Sequence, residues 1–183
     1  MSRLAIALTT LLLVPAAAQD EMEDNAEYKS WAKQKPKAWV KWAVETHTGA
    51  LKMTSEVTWT LKELGADKAV IEEKTVMNVA GAEKPAEYTS SRSIPARVKK
   101  GTTSDGGKVE ILKEGDEELE IKDRKIKCHW VEMKLQGRAG GTMKVWKTDE
   151  IIGGAAKTSI KHDDAAKMTM TMTVVEWKTA DNP

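Results

Sequence analysis

"AWVKWAVETHTGALKMTSEVTWTLKEL", residues 38–64, alternates apolar and polar side chains with a period of two on both sides of one Thr48-Gly49-Ala50 turn. Val40, Trp42 and Val44 fall on one face, with Lys41 and Glu45 on the other. After the turn, Leu51, Met53, Val57, Trp59 and Leu61 oppose Lys52, Thr54, Glu56, Thr58, Thr60 and Lys62. Successive side chains of a strand point to opposite faces, so the stretch predicts a long antiparallel hairpin with one buried face.

The same period runs through most of the chain. "AVIEEKTVMNV" (69–79) predicts a third strand, rich in β-branched residues. "KPAEYTSSRSIP" (84–95) has few apolar residues, and Pro95 confines it to an edge position or a strand end. "GTTSDGG" (101–107) reads as a loop. Beyond it, "KVEILK", "EELEIKD" and "KIKCHWVEMKLQ" read as strands separated by "EGD" and "DRK" turns. "GGTMKVWKTDE", "AAKTSIKHDD" and "KMTMTMTVVEW" complete about ten strands in meander order. One segment breaks the pattern. In "DNAEYKSWAKQKP" (24–36), Asp24 or Asn25 can cap a short helix with Tyr28 and Trp31 on its apolar side, and Pro36 stops it. Strands of 11 to 14 residues span roughly 36 to 46 Å at about 3.3 Å per residue. A flat sheet of that length leaves one face unprotected. The expected fold is therefore mainly β: a single antiparallel, strongly curved sheet or incomplete barrel with a short N-terminal helix.

The first eighteen residues, "MSRLAIALTTLLLVPAAA", carry one charge at Arg3, an apolar run from Leu4 to Val14 and small residues up to Ala18. This is the pattern of a cleaved secretory signal peptide, and its apolar run is shorter than the about 20 residues of a membrane-spanning helix. The expectation is a leader at 1–18 and one β-rich domain at 19–183. The protein is exported to the periplasm or the extracellular space, with no membrane insertion of the mature chain. Removing Arg3 from the 29 Lys and Arg leaves 28 against 28 Asp and Glu, a formal charge of zero. Both signs are spread along the chain, which argues against a nucleic-acid footprint. Oligomeric state is not legible. The single cysteine, Cys128, forms no internal disulfide and reads as a small buried hydrophobe. There is no Phe, and seven Trp must supply much of the aromatic packing.

No catalytic signature is present: G-x-S-x-G and H-E-x-x-H do not occur, and His47, His129 and His162 lie far apart. Cys128 and His129 are strand neighbours and point to opposite faces, so they cannot pair. The expectation is a non-enzyme without a cofactor. His162, Asp163 and Asp164 read as a polar turn. Met168, Met170 and Met172 line one face of the last strand, with Thr169, Thr171 and Thr173 on the other. Val174 continues the Met face, and Val175 and Trp177 continue the Thr face. Thioethers are soft ligands that select Cu(I), but alternating Met and Thr also suits a core strand or the lining of an apolar pocket.

The order "EGDEELEIKDRKIKCHWVE", "KVWKTDEIIGGAAKTSI", "VVEWK" resembles a group of uncharacterised exported bacterial proteins in which a Trp strand leads to an E-[IV]-P-G-G turn and a Lys. Trp146, Glu150, Gly153, Gly154 and Lys157 match that turn, while Ile152 replaces its Pro. "WAKQKPKAWVKWAVET" is similar to the W...kxGSWVxY opening of the group, with Lys37 for Gly and Ala38 for Ser. The resemblance extends at fold level to the periplasmic lipoprotein-carrier superfamily, and implies an open β-barrel that shelters acyl chains. Read from the residues themselves, Gly153-Gly154 gives the backbone freedom for a tight bend or bulge, and Trp146 is expected to pack beneath it.

These readings lead to an exported binding or carrier module for an apolar ligand, lipid or lipidated partner. Its expected lining is Val40, Trp42, Val44, Met53, Val57, Trp59, Met168, Met170 and Met172. Two alternatives stay open: a copper-binding protein using Met168, Met170 and Met172, and a structural envelope protein without ligand.

Overall fold

The computed structural model describes residues 21–78, 84–102, 108–136, 140–163 and 167–179. The leader at 1–18, Asp164 and the body of the 101–107 loop lie outside them. The chain runs β1 (Met22–Asp24), α1 (Ala26–Ala32), β2 (Trp39–Thr48), β3 (Leu51–Leu64), β4 (Lys68–Met77), β5 (Ala86–Pro95), β6 (Arg97–Lys99), β7 (Val109–Ile121), β8 (Arg124–Leu135), β9 (Gly141–Lys147), β10 (Ala155–His162) and β11 (Thr169–Lys178). Nine strands form one antiparallel sheet in the order β5-β4-β3-β2-β11-β10-β9-β8-β7, and β1 pairs with β6 in a separate two-stranded ribbon. The sheet curls without closing, because β5 and β7 remain its two edges.

The hairpin read from residues 38–64 is present as β2 and β3, in register from Trp39↔Thr60 to Thr48↔Leu51. Pro95 ends edge strand β5, where a missing N–H costs the ladder nothing. The expected "EGD" turn is absent. Residues 109–121 form one continuous strand, with a bulge between Ile111 and Lys113, and Gly115 pairs directly with Trp130. A Cβ on Gly115 would lie 2.8 Å from the Trp130 ring. The glycine here makes room for an indole rather than for a bend.

Asn25 caps α1, its side-chain oxygen accepting from the Glu27 N–H at 3.0 Å, while its amide donates to Pro95 O at 2.8 Å. The Tyr28 hydroxyl donates to Gly65 O at 2.7 Å, and the Arg92 guanidinium meets Glu27 at 2.6 Å. Those contacts pin the helix to the lower end of the sheet, beside the β3–β4 turn and the end of β5. Trp31 is fully buried and lies against the β9–β10 turn, its Nε1 3.6 Å from where a Gly153 Cβ would stand. Trp31, not the expected Trp146, is thus the indole under this bend. Gly153 and Gly154 both adopt positive φ (86° and 75°), which favours glycine at each. Under the helix sit Val40, Trp42, Leu61, Ile71, Ile94 and Val174, a core continuous with Ile126, Cys128, Trp146, Ile151 and Ile152.

Along β8 the buried side changes: Ile126 and Cys128 are buried in its lower half, Val131 and Met133 on the opposite face in its upper half. The hairpin β7–β8 coils strongly enough to cover different faces at its two ends. Replacing Gly115 with Ala is expected to cost about 1–3 kcal/mol by overpacking Trp130. Urea unfolding checks this, and exposed Glu120→Ala on the same strand should change stability by less than about 0.5 kcal/mol.

Candidate functional site

Side chains opposite each other in a ladder share a face, so the register assigns every residue near the last strand. Thr46 pairs with Met53 on one side and Met170 on the other. Met170 pairs with Ile160, Ile160 with Met143, Met143 with Met133 and Met133 with Ile111. The result is one transverse row, Met53-Thr46-Met170-Ile160-Met143-Met133-Ile111, across seven strands. Six intervals of about 4.8 Å make it about 29 Å wide. The row beneath it is Met77-Ser55-Val44-Met172-Thr158-Val145-Val131. Above it, the His162 N–H donates to Met168 O at 2.8 Å, which places Met168 opposite His162 on the same face. Of nine methionines, Met1 lies outside the described residues and Met22 in β1; the other seven share this face within three adjacent rows.

Helix α1 covers only the lower end of this methionine face. Arg92, which bonds Glu27 of the helix, pairs with Ile71 and through it with Leu61, and its guanidinium stands 4.5 Å from the Trp59 ring centre. Exposure climbs β2 away from the helix: 0% at Val40, 1% at Trp42, 8% at Val44, with Thr46 half-buried. In the upper rows Met143, Ile160, Met168, Met170 and Met172 are half-buried, and the rims are open, with Met53 at 54% and Ile111 at 63%.

The nine expected lining residues therefore share one face but divide by depth. Val40, Trp42, Val44 and Val57 are buried, and Trp42 packs against Trp59 with ring centres 5.1 Å apart and planes tilted by 52°. Trp59 is half-buried and donates to Glu73 at 2.9 Å. Met53, Met168, Met170 and Met172 keep surface to offer a ligand. Val174 lies on the methionine face as expected, opposite Trp42, but a bulge between Val174 and Glu176 turns Trp177 back to that face, opposite Val40. The Thr-face expectation for Trp177 fails because a bulge adds a residue and shifts the alternation by one. Ile111, Met133, Met143, Val145 and Ile160 were not singled out from sequence. Each looks like ordinary strand alternation, and only the register joins them into a row.

The threonine face of β8–β10 is polar. Lys144 Nζ stands 3.9 Å from the Trp130 ring centre and 4.5 Å from that of Trp146, and Lys157 Nζ caps Trp146 at 4.9 Å. The Trp146 N–H donates to Glu117 at 2.7 Å. Two shallow depressions lie away from the methionine rows. One of about 440 Å³ is lined by Asp116, Glu117, Glu118, Lys127, Cys128 and His129, and one of about 270 Å³ by Glu132, Thr142, Lys144, Trp146, Ser159 and Lys161. His129 Nδ1 meets Asp116 at 3.1 Å and His47 Nε2 meets Glu45 at 2.6 Å, both on open surface. The His47 and Lys52 contacts hold the Glu45 carboxyl below its ordinary pKa. Among the described residues, no three His, Cys, Asp or Glu side chains converge on a metal-sized point. His162 ends β10 rather than lying in the expected turn.

Cys128 is buried, as expected of a small hydrophobe, and its Sγ points to Ile126 O at 3.7 Å. Burial, aided by the nearby Glu150 and Glu117 charges, pushes its pKa up. A raised pKa leaves less of the reactive thiolate at a given pH than a free cysteine has. Iodoacetamide at pH 8 should label native Cys128 at least tenfold more slowly than the urea-unfolded chain.

No protein-family model matches the chain, and no curated protein matches it. Solved structures that share its outline include a protein described as exported, with a YMCC-like fold, from Bacteroides fragilis (5% identity, TM-score 0.44, covering 80% of this chain and 97% of that one). A LolA superfamily protein from Nitrosomonas europaea gives 10% identity and TM-score 0.39, over 86% and 94%. A domain described as outer membrane lipoprotein-sorting, from Vibrio parahaemolyticus, gives 6% and 0.35, over 85% and 91%. With every score below 0.5, the reading of the site rests on this chain's own residues.

Proposed function

We propose that the chain is a single exported domain that binds a long apolar chain, such as the acyl tail of a lipid or lipidated partner, on the uncovered upper half of its methionine face. The transverse row from Met53 to Ile111 carries the reading. It runs about 29 Å across seven strands, apolar at every position but Thr46, on a face whose lower end meets the helix. Bands of this extent on soluble proteins mark interaction sites. Methionine suits one that must fit chains of varied shape, because its side chain is flexible and polarizable. Binding is non-enzymatic: ligand surface leaves water, and no group on the band offers acid, base or nucleophile.

Magnitude selects the ligand class. A fully buried methylene contributes about 0.8 kcal/mol, so roughly half that on an open face, against an association cost of about 4–15 kcal/mol. Small apolar molecules fall short, and chains of more than about ten methylenes are needed. Buried Val40, Trp42, Val44 and Val57 act as the floor, and Met53, Met168, Met170 and Met172 with Ile160 and Met143 as the contact surface.

A fluorescent long-chain fatty acid titrated into residues 19–183 tests this. Wild type is expected to bind it, and Met143→Asp or Met170→Asp to weaken binding at least tenfold without loss of fold by circular dichroism. Binding unchanged by both substitutions, or an affinity indifferent to chain length, overturns the reading.

A further inference from the structure

We infer that the upper edge of the methionine face holds a Cu(I) site formed by His162, Met168 and Met170. The register brings the three together. His162 closes β10 directly opposite Met168, joined by the 2.8 Å N–H to C=O bond, and Met170 lies one row lower on the same face opposite Ile160. Two of the donors are on one strand at i and i+2, the third is across one ladder step, and all three are half-buried and reachable from solvent. A core strand would bury its thioethers; these are not buried. Met143 stands next in line, paired with Ile160 on the far side of β10.

The donor set selects the ion. Two thioethers and an imidazole are neutral and soft to borderline, a combination that favours Cu(I) over the oxygen-seeking Ca²⁺, Mg²⁺ and Mn²⁺. The site does not require an unpaired His162, since a metal-bound imidazole commonly gives its second ring N–H to another acceptor. The inference is independent of acyl-chain binding: it needs only the top two rows, with two sulfur atoms and the His162 imidazole, whereas a hydrocarbon needs only apolar surface.

His162→Gln separates the two, because it removes the imidazole donor and leaves the apolar contact surface untouched. Anaerobic titration of residues 19–183 with Cu(I), in competition with bicinchoninate, is expected to show one ion per chain. Met170→Leu and His162→Gln should each weaken it at least tenfold, and Met172→Leu, one row deeper, less than twofold. Fatty-acid binding by His162→Gln, which lies outside the acyl-chain contact surface, should be unchanged. A protein that yields all its Cu(I) to the chelator, or one whose affinity is unmoved by His162→Gln, overturns the site; equal loss in Met172→Leu and Met170→Leu overturns this ligand set.

Discussion

Cross-strand register is the constraint on which the rest depends. A strand side chain can take only one of two faces, and a slip of one residue would send the whole set to the other side. Here β2 lies beside the central strand β11, fixed by nine paired positions with β11 and ten with β3. Trp42, packed against Trp59 and paired with Val57 and Val174, makes any slip costly, because it would carry an indole out of a core in which it is 1% exposed. The pairing that buries Trp42 therefore also sets Met170, Ile160, Met143 and Met133 in line higher up. Stability at the lower end and surface chemistry at the upper end follow from one alignment.

Helix α1 turns that alignment into a functional asymmetry. It has only seven residues, too few for independent stability, and is held by tertiary contacts: the Asn25 cap, Tyr28 on Gly65, Glu27 on Arg92 and buried Trp31 against Gly153. So short a helix packs at the lower end, beside β4 and β5, and leaves the rims at Met53 and Ile111 open and Met143, Met170 and Met172 half-buried. On the opposite face, Lys144 lies over the rings of half-buried Trp130 and buried Trp146. At the β7 edge, Glu110, Glu114, Glu118 and Glu120 and the bulge beside Ile111 disfavour pairing with another strand.

Much of this was legible in the sequence. Alternation in 38–64 is enough for the central hairpin, Pro95 for an edge, and Asn25 with Tyr28 and Trp31 for the helix. Three features were not. Gly115 looks like a turn residue and is a cavity for Trp130, a distinction that needs the partner strand. The bulge after Val174 is invisible because "TVVEW" alternates equally well with or without it, and it alone returns Trp177 to the methionine face. The band itself draws on seven strands, and no local window contains Met53, Met143 and Met170 together. Sequence shows each methionine's parity within its strand, while only pairing shows that seven parities agree.

Methyl NMR of the mature chain labelled at methionine, with a fatty acid carrying a nitroxide on its tail, tests the central claim most directly. The account predicts selective broadening of Met143, Met170 and Met172, with Met22 in β1 remaining sharp. Broadening of Met22 to the same degree, or none in the row, would contradict it.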